Sequence, residues 1–298
     1  VGVGASGTSL LALLATATAP RRRAAAATIT WLMMIGGIAV TATVVGGFLD
    51  PYSPALLLEI VGVVAIGAVV LTAVAIHGIE ARVGAQPARA DAPVRFREGL
   101  AEIWAEREAR LFTIFVFLSM TAYFMQELIL EPYAGLVFHF TPGQSTQLSG
   151  AQNGGVFLGM LTVGVAATGL RLGSIRHWVV AGCLGSASAL AAIALLGASG
   201  TAAALVPIVV VLGFFNGMFA VGAIGAMMAL AGQGREAREG TRMGLWGAAQ
   251  AMAAGFGGLM GAASVDLMRL VSDTDATAFG TVFFLEAGLF VLSALMAL

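Results

Sequence analysis

The sequence has no lysine, one cysteine and few charges of either sign: 15 arginines and 16 acidic residues make up 10% of its 298 positions. A soluble domain carries about a quarter. Without lysine there is no Walker A phosphate loop, whatever the glycine spacing. With Cys183 alone no intramolecular disulfide can form. Fifteen arginines confined to short loops do not make a nucleic-acid surface. The 40 glycines follow no G-X-Y period, which excludes collagen, and the apolar content excludes disorder. No Ser/His/Asp set and no HExxH spacing is present, so the sequence offers no basis for an enzyme, no catalytic residue and no dedicated metal site.

What the chain does have is apolar sequence: 59% hydrophobic residues and a mean hydropathy of +0.93. A spanning helix needs about 20 mostly apolar residues. Nine such segments are predicted, at 1–18, 25–47, 56–78, 111–138, 148–170, 177–197, 203–230, 242–265 and 277–298. The arginines give them a direction. Arg21 to Arg23 follow the first segment, and six arginines from Arg82 to Arg110 follow the third. Arg171 and Arg176 follow the fifth, and Arg235, Arg238 and Arg242 the seventh, so only Arg269 lies outside alternate loops. By the positive-inside rule the arginine loops are cytoplasmic. In the long connector Phe96, Leu100, Ile103, Trp104 and Leu111 recur at helical spacing opposite Arg97, Glu98, Glu102, Glu106 and Arg110, which predicts an amphipathic helix on the membrane surface.

The chain therefore divides into 1–78 with three spans, a cytoplasmic connector at 79–110, and 111–298 with six. Three spans, a connector and six spans are what remain of a twelve-helix, two-bundle transporter after its first three helices are removed. The expected fold is an all-α polytopic membrane protein with a major facilitator-type helical bundle, nine of twelve transmembrane helices being present. The start at Val1, inside apolar sequence and without a charged leader, fits a chain lacking those helices rather than one with a signal peptide.

Ionisable side chains inside apolar segments each cost roughly 2.5–3.5 kcal/mol, and neutral amides there need a partner, so both mark candidates for function. Glu127 and Glu131 are i,i+4 on the fourth segment, beside Gln126 and before Pro132. Glu286 lies near the middle of the ninth segment, and Asn216 and Gln250 at similar depth in the seventh and eighth. For the glutamate pair, Glu131 snorkelling to the interface and Glu127 accepting hydrogen bonds from a neighbouring helix stand against a cavity face that contacts a cargo, a proton or a magnesium ion; for Asn216 and Gln250 interhelical hydrogen bonding is the default. His139, at the far end of the fourth segment, has no second ligand at i+3 or i+4, and its one open role is a single axial contact to a metallated tetrapyrrole. The small-xxx-small pairs Gly155/Gly159, Gly213/Gly217 and Gly257/Gly261 predict close helix packing.

The run Gln126-Glu127-Leu128-Ile129-Leu130-Glu131-Pro132-Tyr133-Ala134-Gly135 resembles the bacteriochlorophyll delivery family of PucC- and LhaA-like proteins, relatives of the major facilitators. So do Leu49-Asp50-Pro51, the stretch from Gly213 to Gly222, and Met243-Gly244-Leu245-Trp246-Gly247-Ala248-Ala249-Gln250-Ala251. The resemblance implies a factor of the bacterial inner or photosynthetic membrane that assembles light-harvesting antenna complexes. Its partners would be antenna polypeptides and lipids, with bacteriochlorophyll as cargo and no tightly bound cofactor. Glu127, Glu131, Asn216 and Gln250 would then be the pigment or cavity contacts, with Glu286 and His139 behind them. A small-solute transporter using Glu127 or Glu286, and a pigment-free scaffold for antenna helices, are the competing expectations.

Overall fold

A computed structural model describes residues 10, 18, 23–79, 104–170, 172–232 and 239–298. The first predicted segment, apart from Leu10 and Thr18, lies outside the described residues. So do Arg21, Arg22, Arg82, Arg89, Arg95, Arg97, Arg171, Arg235 and Arg238, and the connector residues Phe96, Leu100 and Ile103. Among the described residues every regular element is helical. The long helices are α1 (Arg23–Phe48), α2 (Pro54–Ile76), α3 (Arg107–Phe138), α4 (Pro142–Val163), α5 (Ile175–Ser199), α6 (Leu205–Gly232), α7 (Glu239–Arg269) and α8 (Asp275–Ala297). They coincide with the second to ninth predicted segments. Seven of the eight are long and apolar enough to cross a bilayer; α4 is not, because Gln144, Gln147, Gln152, Asn153 and several hydroxyls dilute it. The protein is an all-α polytopic membrane protein.

Local chemistry sets the helix ends. Ser53, Ser174 and Thr274 cap α2, α5 and α8 by accepting a backbone N–H three residues on. Thr141 and Gln144 form a reciprocal capping box at α4, with Pro142 at the first helical position. Thr141 also donates to Asp50 Oδ2 at 2.7 Å, so the loop between α1 and α2 is tied to the start of α4. α3 runs unbroken past Pro132 and stops at His139, which takes the left-handed conformation (φ 58°) that Gly200 takes after α5.

The helices pack in the order α7, α3, α8, α5, α6, α4, α1. α2 buries none of its residues and makes no extensive contact with another described helix. The closest approach is between α4 and α6. A β-carbon at Gly155 or Gly159 would fall on the carbonyl oxygens of Val210 and Phe214, and one at Gly213 or Gly217 on those of Gln152 and Val156. The two predicted glycine pairs therefore lie in each other's grooves, backbone against backbone. Gly257 and Gly261 do the same for α7 on α3, a β-carbon there meeting Thr121 O and Met125 O, each at 2.9 Å.

Aromatic side chains fill the rest of the interior. Tyr133 stacks edge-on to Phe283 at 5.0 Å and donates its hydroxyl to Ile193 O at 2.7 Å, over Gly197. That hydroxyl bridges α3 and α5. Tyr133→Phe is expected to lower unfolding free energy by about 0.5–1.5 kcal/mol in detergent, read as a downward shift in Tm. An unchanged Tm would show that the bond contributes nothing net.

Candidate functional site

Four buried polar side chains fall near one level of the bundle by helix register. α6 and α8 run parallel, and their rings Phe219 and Phe290 touch with centroids 5.8 Å apart. Asn216 stands three residues before Phe219 and Glu286 four before Phe290, so each is one helical turn to the same side of that ring pair. α5 runs the opposite way against α6, with Gly182 under Phe219 and Gly185 under Phe215. That register places Ser186 opposite Asn216, and the hydroxyl donates to Asn216 Oδ1 at 2.8 Å. On α3 the register is bracketed by Phe115 against Phe219 at one end and Tyr133 against Phe279 and Phe283 at the other. Gln126 falls between the brackets, as Glu286 does on α8.

Gln126, Ser186, Asn216 and Glu286 are all 0% exposed. Of their polar atoms, Gln126 Nε2 and Oε1, Asn216 Nδ2 and both Glu286 carboxyl oxygens find no hydrogen-bond partner among the described residues. Buried polar groups are ordinarily paired, so this concentration of orphans is the strongest mark of function in the described core. The set mixes donors and acceptors. It suits a hydrogen-bonding occupant, water included, better than a bare cation. Among the described residues, Arg176 and Arg269 stand at helix ends.

A second polar surface lies on the outer face of α3. Glu127 and Glu131 are both exposed and one turn apart, and Ser149 of α4 donates to Glu131. Asn153 Nδ2 donates to Ser149 O at 3.0 Å, extending the polar strip along α4. The predicted common face of the two glutamates is therefore present, turned away from the packed core.

The other candidates are scattered. α7 runs parallel to α3, with Trp246 Nε1 donating to Thr113 Oγ1 at 3.1 Å and Gly257 at Thr121. Gln250 thus lies level with residues 116–117, about ten residues or ~15 Å along the axis from Glu127. His139 is exposed at the end of α3, and no group of three or more His, Cys, Asp or Glu able to hold a metal occurs among the described residues. The expected single cavity of Glu127, Glu131, Asn216 and Gln250 divides into a buried layer containing Asn216, an outer strip containing the glutamates, and an isolated Gln250. Sequence reasoning named Asn216 and Glu286 and noted Gln126 only as a neighbour. It missed Ser186 and Ser149, small residues whose helical setting gives them no sequence signal of their own.

A family model described as PUCC protein matches residues 1–298, the whole chain. The chain belongs to the PUCC protein family. It is 70% identical over 296 residues to the bacteriochlorophyll synthase 44.5 kDa chain of Rhodobacter capsulatus, covering 99% of this chain and 68% of that relative. It is 28% identical to protein PucC of Cereibacter sphaeroides, covering 85% of this chain and 55% of the relative. With protein PucC of Rhodovulum sulfidophilum the identity is 27%, over 91% and 60% of the two chains. The chain thus spans little more than half the length of these PucC proteins.

In this PUCC protein the resembling runs have identifiable work. From the Glu-Pro-Tyr run, Glu131 receives Ser149 and Tyr133 reaches Ile193 O. The run from Gly213 to Gly222 carries the α4 interlock, Asn216 and Phe219. The run at 243–251 supplies Trp246, which fastens α7 to Thr113.

Proposed function

We propose that this chain is part of a membrane assembly factor for bacterial light-harvesting antenna complexes, one that holds bacteriochlorophyll at bilayer depth and passes it to antenna polypeptides. The observation that carries this reading is membership of the PUCC protein family, joined to 70% identity with a relative whose name places it with bacteriochlorophyll. The geometry supports it through the strip of Glu127, Glu131 and Ser149, which gives carboxylates and a hydroxyl to an otherwise apolar outer face. A flat, mostly apolar pigment needs a few such groups to orient its polar edge or central magnesium. The relative's name speaks of a synthase. We assign this chain no reaction of its own, because its sequence offers no nucleophile paired with a base and no phosphate loop.

The major facilitator-type arrangement belongs to the same reading. α1 packs along α4, so the part before the connector meets the part after it through helices rather than through the connector alone. The arginine distribution supports a place in the bacterial inner or intracytoplasmic photosynthetic membrane with those loops in the cytoplasm.

Pigment analysis of the purified full protein tests the proposal. Stoichiometric bacteriochlorophyll is expected, falling at least several-fold in the double variant Glu127→Ala, Glu131→Ala while Tm stays within a few degrees. Purified protein free of pigment, with antenna polypeptides still crosslinking to it when pigment synthesis is blocked, would instead establish a scaffold.

A further inference from the structure

On the side where the arginine loops gather, α3 and α5 begin and α6 and α8 end, and their termini leave a cavity of about 490 Å³. Its walls are apolar, including Leu111, Phe115, Val179 and Met296, and two charged residues, Glu108 and Arg176, also line it. Each is the second residue of its helix, so the charges sit in first turns, where a spanning helix meets the headgroup layer. Arg176 donates Nε to Ala297 O at 2.6 Å, which pins the guanidinium beside the end of α8. No ion pair joins Glu108 to Arg176 or to any other described residue, and the terminal guanidinium nitrogens have no described partner.

An apolar cleft at this depth is filled more favourably by hydrocarbon than by water. The lining then decides which amphiphile enters. An anionic head would satisfy Arg176 and be repelled by Glu108; a cationic one would do the reverse. A head carrying both charges, a phosphate and an ammonium joined by a short ethanolamine link, satisfies both. We propose that this cleft binds a zwitterionic aminophospholipid, an acyl chain between α3, α5, α6 and α8, its phosphate on Arg176 and its ammonium on Glu108. The site is separate from the strip of Glu127 and Glu131, and it stands whether or not the chain carries pigment.

The test places the full protein in nanodiscs of equal parts phosphatidylethanolamine and phosphatidylglycerol, transfers it to delipidating detergent, and identifies retained lipid by native mass spectrometry. Retention of phosphatidylethanolamine over phosphatidylglycerol by about threefold to tenfold is expected, the range for one or two partly exposed ion pairs. Glu108→Gln should bring the ratio toward one, whereas Arg176→Gln, which removes the phosphate contact common to both lipids, should lower the total retained lipid without bringing the ratio toward one. Ala226→Phe, which fills the cleft and leaves both charges in place, should remove the retained lipid altogether. Preference for phosphatidylglycerol, retention indifferent to all three substitutions, or no retained lipid with the connector crosslinked into the cleft would each overturn the proposal. The two charge variants are on exposed positions, so the test survives if the filled variant does not fold.

Discussion

Leucine at Gly159 or Gly217 should prevent recovery of folded protein, and alanine at either should lower stability by about 1–3 kcal/mol, the usual cost of forcing atoms into a packed interface. The reason is that the obstacle is backbone. A β-carbon at Gly159 meets the carbonyl of Phe214, and one at Gly217 meets that of Val156, and neither can rotate aside as a side chain would. Relief requires α4 and α6 to separate along their length, and any part of that shift taken up by α6 also disturbs its contacts with α5, Asn216 with Ser186 and Phe219 with Gly182. Gly154, on α4 beside this seam, has nothing within 4 Å of its would-be β-carbon. Gly154→Ala should leave the unfolding temperature unchanged or raise it, since alanine is the better helix former. Thermal unfolding of the purified variants in one detergent separates the cases. If Gly159→Ala and Gly154→Ala behaved alike, the interlock would not be holding the bundle together.

Those glycine pairs show which parts of the structure a sequence can disclose. Spacing of four on apolar helices marks a face made for close approach, and apolar length marks the helices themselves, so both were legible. Which pair meets which was not, because Gly155/Gly159 and Gly213/Gly217 are brought together only by the packing of α4 on α6. The same limit governed the polar residues. Glu127 and Gln126 are adjacent in sequence and equally anomalous in an apolar segment, yet the roughly 100° between successive helical residues turns one outward and the other into the core. Insertion cost flags a residue without saying which way it points. Gln250 was grouped with Glu127 as a candidate cavity contact, and the α3–α7 register fixed by Trp246 and Thr113 separates them. α4 was legible as well, at 148–170, although it alone among the eight long described helices is too polar to cross a bilayer by length and composition. Flanked by α1 and α6, it can carry glutamines and an asparagine that would disqualify a lipid-facing helix.

Glu286→Leu is expected to stabilise the protein and disable it. The carboxyl stands at the centre of α8, 0% exposed, with neither oxygen hydrogen-bonded to a described residue. An unsatisfied buried polar group costs about 1–3 kcal/mol, and leucine fills a similar volume without that penalty, so unfolding should move to higher temperature. Ser186→Ala is the opposite case, since it removes the donor that satisfies Asn216 Oδ1 and should lower stability by about 1–3 kcal/mol. Structure maintenance alone would leave no reason to keep a carboxyl where an apolar residue does better. A site that must bind something at mid-depth has that reason, because the groups it presents stay unpaired until the occupant arrives. Glu286→Leu introduced into a strain that depends on the full protein should therefore reduce assembled antenna, measured by its near-infrared absorption, although the variant is more stable and equally abundant. Normal antenna yield from the stabilised variant would reduce Glu286 to a tolerated flaw in packing. Loss of both stability and yield would mean that partners outside the described residues already satisfy the carboxyl, placing the functional surface on the outer strip of Glu127 and Glu131 instead.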